Sequence, residues 1–152
     1  IALENLLTGL ELEVFAHNVE CVPRLDSTVR DARASFSQSI EILKKAKQLR
    51  PDILTKSSLM VGVGETDDEI IQALELLRDA EVDLITIGQY LAPSPNHLPV
   101  DRFPEPSQYD DWSASLEEMG FLGWACGPLV RSSYKAGELL AKASARLRTD
   151  KE

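Results

Sequence analysis

Short apolar runs typical of β-strands alternate with amphipathic helical runs along most of this sequence, and that alternation limits the possible folds more than any other feature. A strand, a helix and a second strand in succession form a parallel β-α-β unit, because the helix returns the chain to the same edge of the sheet. The sequence therefore predicts an α/β domain. Strands are expected at residues 12–16, 54–63, 82–87 and 121–126, and helices at 35–50, 66–80, 106–119 and 134–147.

Capping residues mark the starts of two of these helices. Ser35 precedes Gln38 by three positions and Thr66 precedes Glu69 by three, which is the spacing of a capping box. Pro51 ends the first of them, because proline has no N–H group for the helical ladder. These signals predict helix boundaries from local chemistry alone.

The predicted strands are too few to close a barrel, so we expect them to form the second part of one. The proline-rich residues 92–106 show little periodicity and are predicted to form a surface loop. A net charge of −9 argues against nucleic acid and anionic membrane surfaces as partners, because both are bound by clustered Lys and Arg.

The two cysteines, Cys21 and Cys126, are too few for a disulfide framework and indicate reduced thiols. An iron–sulfur cluster normally takes three or four cysteine thiolates. We therefore expect that this chain cannot hold such a cluster by itself.

A glycine-rich turn at residues 62–66 joins a predicted strand to a predicted helix. A dinucleotide-binding loop would have a third glycine where Asp67 stands, and Asp68 and Glu69 would repel a pyrophosphate. These residues disfavour a dinucleotide loop, and the turn with its capping box is also typical of a purely structural connection from a strand to a helix.

Polar side chains follow the predicted strands at the points where those strands end. His17 and Asn18 follow the first strand, Gln89 the third, and Ser132 and Ser133 the fourth. Parallel strands present their carboxyl ends at one edge of the sheet, where α/β enzymes bind their ligands. A single histidine at such a place is more often hydrogen-bonded within the structure than bound to a metal.

Four blocks of sequence, in this order and spacing, resemble the lipoyl synthase family of radical S-adenosylmethionine enzymes. They are residues 16–20, 59–66, 86–91 and 127–134, which have the sequences AHNVE, LMVGVGET, TIGQYL and GPLVRSSY. The resemblance covers roughly residues 12–141 and matches only the C-terminal half of that family. It implies the C-terminal part of a partial (β/α) barrel of the radical SAM type in residues 1–130, followed by a segment at 131–152 with the RSSY motif and a terminal helix.

The family resemblance also implies a function. The complete enzyme would insert two sulfur atoms into a protein-bound octanoyl-lysine to give the lipoyl group. Its cofactors would be S-adenosylmethionine and two [4Fe–4S] clusters, whose cysteine ligands lie outside this chain, and the auxiliary cluster would donate the sulfur. The chain alone is therefore expected to be inactive.

The resemblance assigns roles to particular residues. Gly62, Gly64 and Glu65 would line the S-adenosylmethionine site, and Asn18 and Gln89 would lie at the barrel mouth as cofactor contacts. An oxygen ligand to one iron of the auxiliary cluster would come from the second serine of the RSSY motif, Ser133. No residue is assigned as catalytic.

Expected partners are octanoylated lipoyl domains or the glycine cleavage H protein, and a reductant such as ferredoxin or flavodoxin. The expected location is the cytoplasm of a bacterium, or the mitochondrion or plastid of a eukaryote. Two other functions remain open: a cluster-free module that docks acylated carrier domains without catalysis, and an unrelated barrel fragment with Glu65 and Glu20 as an acid–base pair.

Overall fold

The computed structural model describes residues 3, 14–31, 33–132, 139, 142–143 and 145–147. Within them, four strands form one parallel sheet in the order β1-β2-β3-β4. The strands are β1 (Val14–Ala16), β2 (Leu54–Val61), β3 (Leu84–Gln89) and β4 (Gly123–Gly127).

Helices connect consecutive strands. They are α1 (Asp26–Val29), α2 (Phe36–Leu49), α3 (Asp67–Asp79) and α4 (Pro106–Glu118). Residues 139, 142–143 and 145–147 are also helical, in agreement with the final helix predicted at 134–147, whose other residues lie outside the described part. This parallel α/β architecture confirms the predicted fold class and is consistent with a partial barrel of the radical SAM type.

The main hydrophobic core lies between one face of the sheet and helices α2, α3 and α4. Leu59 of β2 and Ile87 of β3 point into it and are almost fully buried. The helices contribute side chains such as Leu43, Leu74 and Trp112. Each such burial stabilises the fold by about 1.5–3 kcal/mol, so this face anchors the sheet against its helices.

The opposite face of the sheet, which we call the inner face, carries polar side chains and a glycine in its central part. Strand side chains alternate between faces, so the inner face carries Lys56 and Ser58 of β2 and Thr86 and Gly88 of β3. Lys56 is only 5% exposed, and the hydroxyl groups of Ser58 and Thr86 are hydrogen-bonded to each other. Buried polar groups on a sheet face require partners and so limit what can lie against it.

The amino end of the sheet is closed by apolar packing and by one buried ion pair. Ala143 packs against Leu54 and Leu84 there. The Lys47 ammonium lies 2.7 Å from the carboxylate of Asp83, and both side chains are largely buried. Breaking such a pair leaves an uncompensated charge, so this end of the sheet is a structural anchor rather than an open site.

The bounds of β2, β3 and β4 differ from the sequence expectation. β2 ends at Val61 rather than at 63, because Gly62 has a φ of +91° and leaves the extended conformation. β3 and β4 each begin two residues later than expected. The predicted strands began at the apolar residues Val82 and Phe121. Both residues are buried in the core but belong to no strand.

Residues 20–34, between the first predicted strand and the first predicted helix, contain a 3-10 turn (Pro23–Leu25) and the short helix α1. The Asp26 carboxylate organises this segment, because it accepts a 2.7 Å hydrogen bond from the Phe36 N–H group at the start of α2. This long-range partner is not visible in a local sequence window.

The predicted helix caps are present. The Ser35 hydroxyl accepts from the Gln38 N–H group at 3.1 Å. Thr66 and Glu69 form a complete capping box, with both reciprocal hydrogen bonds. α2 ends at Leu49, just before Pro51, as the sequence predicts.

Candidate functional site

A cleft of about 470 Å³ opens at the carboxyl ends of the strands. This volume is within the range of small-molecule sites, about 300–1,000 Å³. Its lining includes Asn18 and Glu20 after β1, Ser58 and Met60 of β2, Thr86, Gly88 and Gln89 of β3, and Val130, Arg131 and Ser132 after β4. The cleft therefore occupies the edge of a parallel sheet where ligands of α/β proteins bind.

Asn18 and Glu20 reach the cleft because the chain after β1 stays attached to β2. Glu20 has a φ of +71°, its N–H group donates to the Ser58 carbonyl at 3.1 Å, and its carbonyl accepts from Met60 at 2.8 Å. Arg30 donates from Nη2 to the Asn18 carbonyl at 3.4 Å. The backbone is thus fixed while the half-buried Asn18 borders the cleft.

His17 beside it is hydrogen-bonded within the structure, as the more common interpretation of such a histidine predicts. Its Nε2 lies 3.2 Å from the Ser39 hydroxyl. Burial, with a further contribution from the nearby Arg30, lowers the His17 pKa from 6.5. A neutral ring is therefore favoured at neutral pH, which suits a hydrogen-bonding role between β1 and α2.

Gln89 lies at the cleft, but its amide is committed to internal hydrogen bonds. Nε2 donates to the carbonyls of Arg102 and Tyr90, each at 3.0 Å, and Oε1 accepts from the Tyr109 hydroxyl at 3.4 Å. The side chain is buried. These contacts connect the end of β3 to α4 and to the long loop between these two elements, residues 90–105. They therefore shape the cleft wall.

The turn at residues 62–66 is organised by Glu65. Its fully buried carboxylate accepts from the N–H groups of Gly62 at 2.6 Å and Val63 at 3.2 Å. Arg102, from the long loop, contacts the same carboxylate at 3.3 Å and that of Asp67 at 2.9 Å. Glu65 thus accepts hydrogen bonds from N–H groups that would otherwise be buried without a partner.

Gly62 and Gly64 both have positive φ, but their surroundings differ. A Cβ at Gly62 would collide with the Arg102 carbonyl and the Gln89 amide, whereas a Cβ at Gly64 would meet open space. Gly62, Gly64 and Glu65 are not among the described residues that line the cleft. The structure therefore brings Asn18 and Gln89 together at the cleft and places the other three in the adjoining turn.

The same geometry bears on the acid–base alternative. Glu20 lines the cleft, whereas the Glu65 carboxylate is enclosed in its own turn. A general acid–base pair needs both groups within reach of one substrate. The described structure does not assemble Glu20 and Glu65 in that way.

The segment after β4 crosses the inner face. Gly88 allows this, because a Cβ there would collide with the Val130 carbonyl. The Lys56 ammonium donates a hydrogen bond to the Ser132 carbonyl. Arg131 donates from Nη1 to the Val130 carbonyl at 2.8 Å and to the Gln89 carbonyl at 3.5 Å. The RSSY motif thus enters the site at Arg131 and Ser132, while Ser133 lies outside the described residues.

Lys56 and Arg102 contact residues that line the cleft, Ser132 and Gln89, and sequence analysis missed both. Lys56 belongs to a polar run, Thr55 to Ser58, within a strand that is almost entirely buried. This polar run was a sequence signal from which a role for Lys56 could have been predicted. Arg102 gave none, because its partner Glu65 is 37 residues away.

Both thiols of this chain lie in surroundings that favour the protonated form. Burial raises the pKa of Cys21 to about 12 and that of Cys126 to about 11. Both are therefore thiols rather than thiolates at neutral pH in the structure as it stands. Among the described residues, no three His, Cys, Asp or Glu side chains are grouped to hold a metal ion.

No described helix is both long and apolar enough to span a bilayer.

Three curated proteins that are similar to this chain are named lipoyl synthase. A mitochondrial lipoyl synthase of Xenopus laevis is 51% identical over 131 residues, which are 86% of this chain and 35% of the relative. The human mitochondrial lipoyl synthase is 48% identical over 142 residues, 93% of this chain and 38% of the relative. A lipoyl synthase of Halorhodospira halophila is 56% identical over 129 residues, 85% and 39%.

No protein-family model matches the chain. The chain spans little more than a third of the length of these relatives, and the matched part is their C-terminal part.

Proposed function

The chain belongs to the lipoyl synthase family, and from this premise we propose that it is the C-terminal part of an enzyme that inserts two sulfur atoms into a protein-bound octanoyl-lysine. The observation that carries the proposal is the composition of the cleft. All four sequence blocks that carry the family resemblance contribute to its lining. Blocks that are distant in sequence and meet at one cleft point to a shared ligand there.

The proposed ligand of this cleft is S-adenosylmethionine. The cleft volume is within the range of small-molecule sites, and Asn18 offers an amide that can both donate and accept hydrogen bonds. Gln89 is proposed to contribute by holding the end of β3 in place. The proposed edge of the site on the cofactor side is the turn with Gly62, Gly64 and Glu65. The Glu65 carboxylate makes this turn rigid, so these residues contribute to the shape of the site.

The proposed cluster chemistry needs residues outside this chain. When bound, S-adenosylmethionine and its [4Fe–4S] cluster supply 5′-deoxyadenosyl radicals, and the auxiliary [4Fe–4S] cluster supplies sulfur. This chain is proposed to provide one oxygen ligand, Ser133, to an iron of the auxiliary cluster. An alkoxide or hydroxyl oxygen is a harder ligand than thiolate, which suits a cluster that gives up its sulfur. The adjoining Ser132 lies at the cleft, and this supports the assignment.

The proposed partners are octanoylated lipoyl domains or the glycine cleavage H protein, with ferredoxin or flavodoxin as reductant. The proposed location is the mitochondrion or plastid in a eukaryote and the cytoplasm in a bacterium. Relatives named as mitochondrial and a relative from a bacterium support both settings.

Two preparations test the proposal: this chain alone, and the complete protein that contains it. Both are reconstituted anaerobically, analysed for iron and sulfide, and incubated with S-adenosylmethionine, reductant and an octanoylated lipoyl domain. We expect clusters, 5′-deoxyadenosine and lipoyl product only in the complete protein. Stoichiometric cluster in this chain alone, or octanoyl-domain binding by the complete protein without any turnover, would contradict the proposal. The second outcome would favour the docking module instead.

A further inference from the structure

Lys56 is a buried cation at the centre of the sheet. It lies on β2 between Ala16 of β1 and Leu84 of β3 and points to the inner face. Its side chain is almost completely enclosed. A buried lysine is rare unless its ammonium has a partner, because removal of the charge from water is costly.

The partner of Lys56 within the described structure is a main-chain carbonyl. Its ammonium donates to the Ser132 carbonyl, 76 residues further along the chain, and no described carboxylate forms an ion pair with it. Burial lowers the Lys56 pKa from its ordinary value of 10.5, in line with an enclosed ammonium. A charged donor on a neutral acceptor forms a stronger hydrogen bond than two neutral groups do. The contact therefore restrains the carbonyl that it reaches.

A second, independent contact fixes the same segment two residues earlier. The Val130 carbonyl lies so close to the backbone of β3 that only glycine fits at Gly88. The Val130 N–H group donates to the Gly127 carbonyl at 3.2 Å and closes the turn after β4. The chain from Val130 to Ser132 is thus held against the inner face at both ends.

We propose that Lys56 is a positioning residue of this site: its ammonium holds residues 130–132 against the inner face, and so fixes the point from which the chain continues into Ser133. The inference rests on the proposed function only for its consequence, the placement of an iron ligand. The hold itself is a property of the chain and is measurable without any cofactor.

The first experiment measures that hold in the complete, cluster-free protein. Amide hydrogen exchange is followed in the peptide that covers residues 129–132, with the Val130 amide as reporter. Lys56→Met removes the ammonium but keeps much of the side-chain length, Lys56→Arg keeps a charged donor, and Lys45→Met changes an exposed lysine of α2 as the matched control. We expect exchange to be at least about tenfold faster in Lys56→Met, equivalent to about 1.4 kcal/mol. Lys56→Arg and Lys45→Met should remain near the wild-type rate.

Unchanged exchange in Lys56→Met, or equal acceleration in Lys45→Met, would overturn the inference. Should Lys56→Met fail to fold, Gly88→Ala disturbs the same segment from the other contact point. It should accelerate exchange at residue 130 while peptides of α3 keep their wild-type rate. Acceleration in α3 to the same extent would show general destabilisation and would count against a local hold.

The second experiment separates this inference from the proposed function. In the reconstituted complete enzyme, the Mössbauer or EPR signature of the auxiliary cluster and the ratio of lipoyl product to 5′-deoxyadenosine are measured for Lys56→Met, Lys56→Arg and Ser133→Ala. We expect Lys56→Met to alter the signature and lower the ratio, and Lys56→Arg to restore both. A wild-type ratio of lipoyl product to 5′-deoxyadenosine in Ser133→Ala would contradict the ligand role of Ser133. A wild-type signature of the auxiliary cluster in Lys56→Met, together with a loss of that ratio in Ser133→Ala, would contradict only the positioning role of Lys56.

Discussion

The Arg102 guanidinium lies 3.3 Å from the buried carboxylate of Glu65, across 37 residues of sequence. This pair fastens the long loop after β3 to the turn after β2. The Asp101 N–H group adds a 2.8 Å hydrogen bond to the Gly62 carbonyl. One wall of the cleft region is therefore held by contacts of Glu65 and of the backbone around Gly62.

The first prediction concerns the carboxylate of Glu65. Glu65→Ala leaves two buried N–H groups without their acceptor and removes one of the two carboxylates that Arg102 contacts, so we expect a loss of about 2–4 kcal/mol in the free energy of unfolding. Glu65→Gln keeps one acceptor oxygen and should cost less, about 1–2 kcal/mol. Urea unfolding of the complete protein measures both changes.

Glu75, an exposed residue of α3, provides the control for that series. Glu75→Ala should change stability by no more than about 0.5 kcal/mol. If Glu65→Ala instead keeps wild-type stability and loses only S-adenosylmethionine affinity, Glu65 contacts the cofactor directly and its role in the turn is minor.

The second prediction compares two glycines that were both expected to line the cofactor site. Gly62→Ala and Gly64→Ala each place a side chain at positive φ, which costs about 1–3 kcal/mol. Gly62→Ala adds a collision with the Arg102 carbonyl and the Gln89 amide, so we expect it to cost about 1–3 kcal/mol more. Thermal unfolding and S-adenosylmethionine binding are measured for both variants. Equal stability losses would show that the approach at Gly62 is easily relaxed.

Local sequence signals predicted the three long helices α2, α3 and α4 and the fold class well. The hydroxyl groups of Ser35 and Thr66 cap the helices at the predicted positions, because a cap depends on a residue only three places away. The alternation of strands and helices likewise determines a parallel sheet through chain connectivity. Such features need no tertiary information.

Features that depend on strand register or distant partners were not predictable in this way. Lys56 faces Ser132 only because β2 lies between β1 and β3 with one particular register. Gln89 was expected to contact the cofactor, but the structure gives its amide partners in the loop and in α4. Its direct contact with a cofactor stays a prediction. These outcomes depend on how elements pack rather than on any local pattern.

The third prediction concerns acid stability and Glu69. A hydrogen bond from Arg24 and another from the Thr66 N–H group lower the Glu69 pKa from 4.5 to about 2. A carboxyl group whose pKa is lowered in the folded state stabilises it fully above about pH 4.5 and loses that effect as the pH falls toward 2. We therefore expect wild-type thermal stability to fall more steeply with acidification in this window than that of Glu69→Gln.

Arg24 supplies the matched test of that cause. Because Arg24 is 56% exposed, solvent and salt screen the pair, and about 1 M salt should reduce the difference between wild type and Glu69→Gln. Arg24→Met should have an acid profile between those of the wild type and Glu69→Gln, because the Thr66 N–H group still lowers the Glu69 pKa. Acid profiles of both variants that parallel the wild type would show that other carboxylates dominate the acid transition.

The fourth prediction distinguishes the two serines of the RSSY motif in the complete enzyme. Ser133→Ala should permit S-adenosylmethionine cleavage but stop sulfur insertion, because the proposed oxygen ligand is removed. Ser133→Cys should hold the auxiliary cluster more tightly and donate sulfur poorly, since thiolate binds iron more strongly than a serine oxygen does. Ser132→Ala should be much milder, because Ser132 engages Lys56 through its main-chain carbonyl, which alanine retains. Product analysis on an octanoylated peptide, together with spectroscopy of the auxiliary cluster, measures all three. Lipoyl product at the wild-type rate in Ser133→Ala would leave that hydroxyl with no role at iron, and a loss in Ser132→Ala as large as that in Ser133→Ala would show that the motif acts through both hydroxyls.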